Sequence, residues 1–354
     1  MKLAARIALA LGVAAMVVII VREGGPSILT LLGEAGWVLL LLVPLHALPI
    51  GLDVLGWRTL IVRLTQPPRF ATLLWIAAVR EAINRLLPVA SIGGEIAGIR
   101  LLANHDVEGT DAAASVVVEV LLTLVSQYLF VTLGVVLVLK ATHGTRALDG
   151  LVLGLGIALV AITAMFALLR YGSVFERLEQ WVQRMIGVSR GARLNGWLGA
   201  SGASPDAAHG SIAACGASVP VTGRGWQQLD ATIRELCIAR RLLALAAIWQ
   251  LAGFVASSLE IWLTLRWFDH PIDFDASIAL ESLTLAVRQF AFLVPAGLGV
   301  QEAGLIGFGS LFGLTPDVAV TLSLVKRMRE LLFGVPALAS WQWSEGWRGL
   351  PRKT

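Results

Sequence analysis

Apolar runs of membrane-spanning length recur along the chain, near 5–21, 34–57, 112–139, 148–169, 242–266 and 318–341. A run of ~18 or more apolar residues has the length a helix needs to cross hydrocarbon. There is no water there to bond a backbone amide, so each run must close its own hydrogen bonds as a helix. Composition agrees: 56% of the 354 residues are hydrophobic and 15% charged, against roughly 25% charged in a soluble domain. Soluble oxidoreductases and nucleic-acid binders are disfavoured, and no nucleic-acid partner is expected. Cys215 and Cys237 form no CxxC pair, and His46, His105, His143, His209 and His270 are scattered without metal-ligand spacing, so neither a metal site nor a cofactor is expected.

Two further apolar regions, 72–103 and 277–314, are interrupted at Pro88 and Pro295. Each half is too short to cross ~30 Å at 1.5 Å per residue. Both regions are read as re-entrant helical hairpins, broken by Pro88, Gly93 and Gly94 in one and by Pro295, Gly297 and Gly299 in the other. Such non-spanning backbone is tolerated where it is buried in protein or lines a cavity. The fold expected is an all-α polytopic membrane protein with about six full spans plus two re-entrant hairpins.

Lys and Arg positions test the orientation. With the N-terminus inside, seventeen basic residues fall in cytoplasmic segments, nine of them between Arg170 and Arg241, and four (Arg22, Lys140, Arg146 and Arg266) fall outside. Both termini are therefore expected in the cytoplasm of a bacterial-type inner membrane. Lys2 and Arg6 ahead of an apolar run look like a signal peptide, but no small-x-small cleavage site follows, so 1–33 is taken as an uncleaved span. Residues 34–170 form a first membrane repeat with an extra span. Residues 171–241 form a cytoplasmic segment with two amphipathic surface stretches, Val174 to Met185 and Leu229 to Leu236, around a Gly/Ser/Ala-rich connector. Residues 242–354 form a second repeat.

The repeat is visible in rare residues. Adding 207 takes Asp53 to Glu260, Pro88 to Pro295, Glu95 to Glu302 and Glu119 to Lys326, and a one-residue slip sets Arg80 opposite Arg288. The topology gives the two copies opposite directions, and inverted repeats with broken helices are a transporter architecture.

Seven basic residues remain, Arg80, Arg85, Arg100, Arg288, Lys326, Arg327 and Arg329, alongside Asp53, Glu81, Glu95, Glu119, Glu260, Glu281, Glu302 and Glu330. Placed in lipid near the bilayer centre, these fifteen would cost on the order of 40 kcal/mol. They must pair, line a wet cavity or sit near an interface. Ser115, Glu119, Thr123 and Ser126 share one helical stripe, and Ser323, Lys326, Arg327 and Glu330 lie within two turns of each other. Structural pairing is one reading: Lys326 with Glu330 at i, i+4, and Arg80, Arg85 and Arg288 with Glu81, Glu95 or Glu302. Substrate contact is the other, since arginine binds phosphate in a bidentate manner. Glu95 and Glu302, near half-helix starts, can satisfy backbone N–H groups, receive a cationic moiety or carry a proton.

RLLPVASIGGEIAGIRLL (85–102) and FLVPAGLGVQEAGLIGFG (292–309) resemble the paired signatures of the flippase-like family, the membrane region of lysylphosphatidylglycerol synthases. Among stand-alone members the chain is similar to those associated with hopanoid biosynthesis. The resemblance implies movement of a polar lipid between leaflets, with Arg80, Arg85, Glu95, Arg288, Gln301, Glu302 and Lys326 as candidate substrate contacts. Glu119 and Arg327 join them from the embedded-charge stripes. The relatives' soluble aminoacylating domain has no counterpart before Thr354, so transferase activity is not expected.

A lipid translocator is the leading expectation, with membrane lipids as partners; lipid-biosynthetic enzymes and a second copy of the chain are further candidates. No Walker motif is present, so ATP hydrolysis by this chain is not expected. A membrane transferase using Glu95 or Glu302 as general base is the alternative, although no histidine lies near either motif in sequence. A non-transporting scaffold is a third reading.

Overall fold

The computed structural model describes residues 38–86, 93–105, 107–142, 223–290 and 300–348, with isolated positions 36, 156 and 160. The expected span 5–21, all of 148–169 but 156 and 160, most of the 171–241 segment including Val174 to Met185, and Pro88, Pro295, Gly297 and Gly299 lie outside the described residues. What is described is all-helical. The first set is α1 (Val38–Leu64), α2 (Phe70–Leu86), α3 (Gly93–Ala103) and α4 (Gly109–Thr142); α5 (Gly223–Ile238) follows. The second set is α6 (Arg240–Trp267), α7 (Phe274–Phe290), α8 (Val300–Gly309) with a 3₁₀ turn (Ser310–Phe312), and α9 (Pro316–Arg348).

The 207-residue offset carries over to the elements: α3 and α4 begin at 93 and 109, α8 and α9 at 300 and 316. Among the described residues three helices, Leu41–Leu64, Gly109–Lys140 and Arg240–Trp267, are long and apolar enough to cross a membrane. α9 is long enough as well, but its apolar sequence is diluted by Lys326, Arg327, Arg329 and Glu330. α1 continues through Pro44 and Pro49, and α9 through Pro336.

α1 and its equivalent in the second set, α6, run antiparallel. Gly56 of α1 lies against Ala246 and Gln250 of α6, while Gly253 of α6 lies against Pro49 and Leu52 of α1. The residue numbers ascend on one helix as they descend on the other. The two sets also interlock: α2 packs on α9, and α4 packs on α7. In the first of these contacts Gly334 meets Ala82, and the Trp75 indole N–H donates to Ser340 at 2.9 Å. In the second, Gln289 donates to Gln127 at 3.0 Å and Gly134 meets Ser282. Gln127 and Gln289 stand where the offset puts Gly334 and Ala82. This is the geometry of a two-fold related, inverted pair. Small residues at the crossings let the backbones approach, which matters where lipid offers no hydrophobic drive for helix association.

α2 and α3 pack face to face and antiparallel, Arg80 beside Gly98 and Asn84 beside Gly94. α7 and α8 do the same, with Val287 beside Gly304 and Arg288 beside Gln301. α5 departs from expectation. Leu229, Ile233 and Leu236 do not lie on the membrane surface but are buried against Leu60 of α1 and Ala113, Ala114 and Val118 of α4. Hydrophobic periodicity gives the apolar face of a helix but not what covers it.

After the 3₁₀ turn, Gly313 takes φ 75°, and the Leu314 N–H donates to the Gly309 carbonyl at 3.0 Å. A side chain is strained in this left-handed conformation, so Gly313→Ala is expected to cost about 1 kcal/mol, read as a lower thermal midpoint in detergent.

Candidate functional site

α2 carries adjacent charges, Arg80 and Glu81, that serve two separate clusters. In the first, the Arg80 guanidinium bonds Glu95 of α3, and its Nη2 donates to Glu119 of α4 at 2.6 Å. It also stacks over the buried Trp57 ring, 4.8 Å from its centroid. The Trp57 indole N–H donates to Ser115 at 3.3 Å. Gly98 makes room for the Arg80 stem, because a Cβ there would strike Cγ and Cδ. Asn84 ties the hairpin: its Oδ1 accepts from the Gly94 N–H at 2.9 Å, and its amide donates to Glu95 at 3.2 Å. An orphan donor of the first turn of α3 is thus satisfied from α2 and not by Glu95. Gln250 of α6 donates to the Glu119 carbonyl and to Thr123 at 3.3 and 3.0 Å, and Asp53 lies within electrostatic range of Arg80. The polar stripe expected on α4 therefore exists, with Ser115, Glu119, Thr123 and Ser126 all facing partners.

The second cluster joins the halves. Glu260 of α6 receives Arg329 of α9 at 2.9 and 2.7 Å. His46 of α1 sits between Glu260, 2.8 Å from Nδ1, and Glu81, 3.2 Å from Nε2. Glu330 is ringed by guanidiniums. Its Oε1 lies 3.6 Å from Arg85 of α2, 3.5 Å from Arg288 of α7 and 3.7 Å from Arg329, and its Oε2 lies 3.8 Å from Arg327. Oε1 is buried yet has no hydrogen bond among the described residues. The Arg85 and Arg288 side chains remain 31% and 22% exposed.

Glu302 is fully buried and accepts from Ser323 at 3.0 Å and from Arg327 at 3.4 Å. Lys326 pairs with Glu281 of α7, across helices, where the sequence reading set it against Glu330 on its own helix. Arg288 reaches Gln301 at 3.4 Å and Glu330, and not Glu81, Glu95 or Glu302, the carboxylates that the sequence offers Arg80, Arg85 and Arg288 together. A helical face is legible in sequence; the neighbour that lies against it is not.

The nine candidate contacts, Arg80, Arg85, Glu95, Glu119, Arg288, Gln301, Glu302, Lys326 and Arg327, thus fall in two clusters linked through α2. Asn84, Gln250 and Trp57 were missed. Metal-ligand spacing does not single out His46, but its depth does. An ionisable side chain inside an apolar run is itself a functional signal, and His46 stands in one. Among the described residues no group of three or more His, Cys, Asp or Glu could hold a metal ion.

A family model described as the lysylphosphatidylglycerol synthase TM region matches residues 5–337. No curated protein and no solved structure matches the chain.

Proposed function

Because this chain belongs to the family of lysylphosphatidylglycerol synthase transmembrane regions, we propose that it moves a phosphate-bearing lipid between the leaflets of the membrane in which it lies. In this reading α1, α4, α6 and α9 cross the inner membrane, and the α2/α3 and α7/α8 pairs re-enter it. The termini face the cytoplasm, and the cargo is a polar, hopanoid-related or other lipid carrying a phosphate.

The observation that carries the proposal is Glu330. Arginines from oppositely directed halves converge on one buried carboxylate oxygen at 3.5–3.7 Å without bonding it. Guanidiniums grip a tetrahedral anion through paired N–H groups. An internal carboxylate at that spacing keeps them together and charged while leaving them free to turn toward a stronger acceptor. Arg85 and Arg288, the exposed members, would hold the lipid phosphate. Gln301 steers Arg288, and Glu302 and Glu281 fix Arg327 and Lys326. The apolar chains would stay in lipid while the head group moves along the polar interface between the halves.

The test is reconstitution into liposomes with a fluorescent phosphatidylglycerol, following dithionite quenching. Wild type is expected to expose inner-leaflet label. Arg85→Ala and Arg288→Ala are each expected to slow this about tenfold or more, the equivalent of one charge-assisted hydrogen bond. Variants as fast as wild type would refute the site. A wild type that moves nothing but modifies the lipid when given a donor would make the protein an enzyme.

A further inference from the structure

His46 takes no part in holding a lipid phosphate, yet it is buried where the two halves meet. Four elements surround it. Its own helix is α1. α2 presents Glu81, with Arg85 3.7 Å from that carboxylate. α6 presents Glu260. α9 presents Arg329, with Glu330 beside it, and Phe333, whose ring meets the imidazole edge-on at 5.1 Å. Lys326 also acts on Glu260 electrostatically.

The hydrogen-bond roles cannot all be met by one protonation state. A neutral imidazole has one donor and one acceptor nitrogen; an imidazolium has two donors. Nε2 lies 3.2 Å from both Glu81 oxygens, so it donates. Nδ1 lies both against the Glu260 carboxylate and against the Arg329 guanidinium. If neutral, Nδ1 accepts from Arg329. If protonated, Nδ1 donates to Glu260, and the Arg329 N–H turns wholly to Glu260, which it already reaches at 2.7 and 2.9 Å. Each of the two states gives Nδ1 one partner; in the neutral state its lone pair faces the Glu260 oxygen at 2.8 Å, so that contact must open. They differ in what they join: the protonated ring bridges Glu81 of the first half to Glu260 of the second, and the neutral ring does not. The Glu81 side chain, on the Nε2 side of the ring, is 22% exposed.

We propose that His46 binds and releases the proton that couples lipid movement to a proton gradient, which rests on the translocator reading above. One N–H bond forms at Nδ1 with a proton taken from water on one side. The same bond breaks to return the proton to water on the other side once the halves have rearranged. No other covalent bond changes. Protonation pins the halves together at α2 and α6, and deprotonation frees them.

The test uses the full chain in liposomes of phosphatidylethanolamine and phosphatidylglycerol containing a short-chain fluorescent phosphatidylglycerol. The outer-leaflet share is read by albumin extraction, with and without an imposed pH gradient. For one proton per lipid, the wild-type distribution is expected to shift by up to about tenfold per pH unit. His46→Gln is expected to equilibrate lipid with no response to the gradient. Glu81→Gln removes the carboxylate that accepts from Nε2, so its rate–pH midpoint should differ from that of wild type. A loss that was merely structural would lower the rate equally at all pH values. Gradient-independent movement by wild type, or a gradient response that survives His46→Gln, overturns the coupling and leaves the translocator reading standing. Absence of any lipid movement by wild type overturns both. Should His46→Gln fail to fold, an unshifted midpoint in Glu81→Gln overturns the proposal.

Discussion

Arg80→Ala is expected to remove about 3–5 kcal/mol of stability, enough that little folded protein is recovered from membranes. The reason is the imbalance around it: Asp53, Glu95 and Glu119 face one guanidinium, and Glu119 is buried within the helix bundle. Removing the cation leaves the buried Glu119 carboxylate without the guanidinium it accepts from, and leaves Glu95 with only the Asn84 amide among the described residues. It also removes the cover over Trp57. The same imbalance fixes the sign of the partner experiment. Glu119→Gln keeps the shape and takes away one surplus negative charge, so it should be tolerated or mildly stabilising. Thermal unfolding in detergent, followed by tryptophan fluorescence, measures both. Equal losses from Arg80→Ala and Glu119→Gln would mean that a simple ion pair, and not an overcrowded acidic site, holds this region.

Gly94→Val is the second large effect. A Cβ at this position would collide with the Arg80 carbonyl oxygen and the Asn84 side chain, the group that accepts the Gly94 N–H. A backbone atom cannot step aside as a flexible side-chain end can, so α3 must lift off α2. Overpacking of this kind costs typically about 1–3 kcal/mol, and the loss of the Asn84 tie and displacement of Glu95 from Arg80 add to it. Lipid movement should fall with stability. Gly307 of α8 is the contrast: a Cβ there meets nothing within 4 Å, so Gly307→Ala should gain up to about 1 kcal/mol of helix propensity. If both variants behaved alike, the close approach of α2 and α3 would not be what Gly94 provides.

Much of the architecture could be read in the chain because its rare residues stand out from an apolar background. The 207-residue offset, found in a handful of charges, reappears in the starts of α3, α4, α8 and α9. The stripe from Ser115 to Ser126 was legible because helical period alone decides which residues share a face. Pairing was not. Whether Lys326 meets Glu330 or Glu281 depends on which helix lies alongside, and Arg327 rather than Arg288 reaches Glu302 for the same reason. α5 shows the corresponding limit for apolar faces, since Leu229, Ile233 and Leu236 suit lipid and protein alike. His46 carries its signal in its depth among apolar residues, a property that metal-ligand spacing does not report.

The interlocking of α2 with α9 and of α4 with α7 has a consequence for how the molecule is made. Each half completes its core with the last long helix of the other, so the N-terminal half emerges from the ribosome before its partners exist. Glu81 and His46 then lack Arg329, and Arg85 lacks Glu330. Insertion must therefore run ahead of folding. Arg80, Glu95 and Glu119 can pair within the first half, but Arg85 waits in the membrane without Glu330 until α9 is synthesised, and that last helix completes the second cluster.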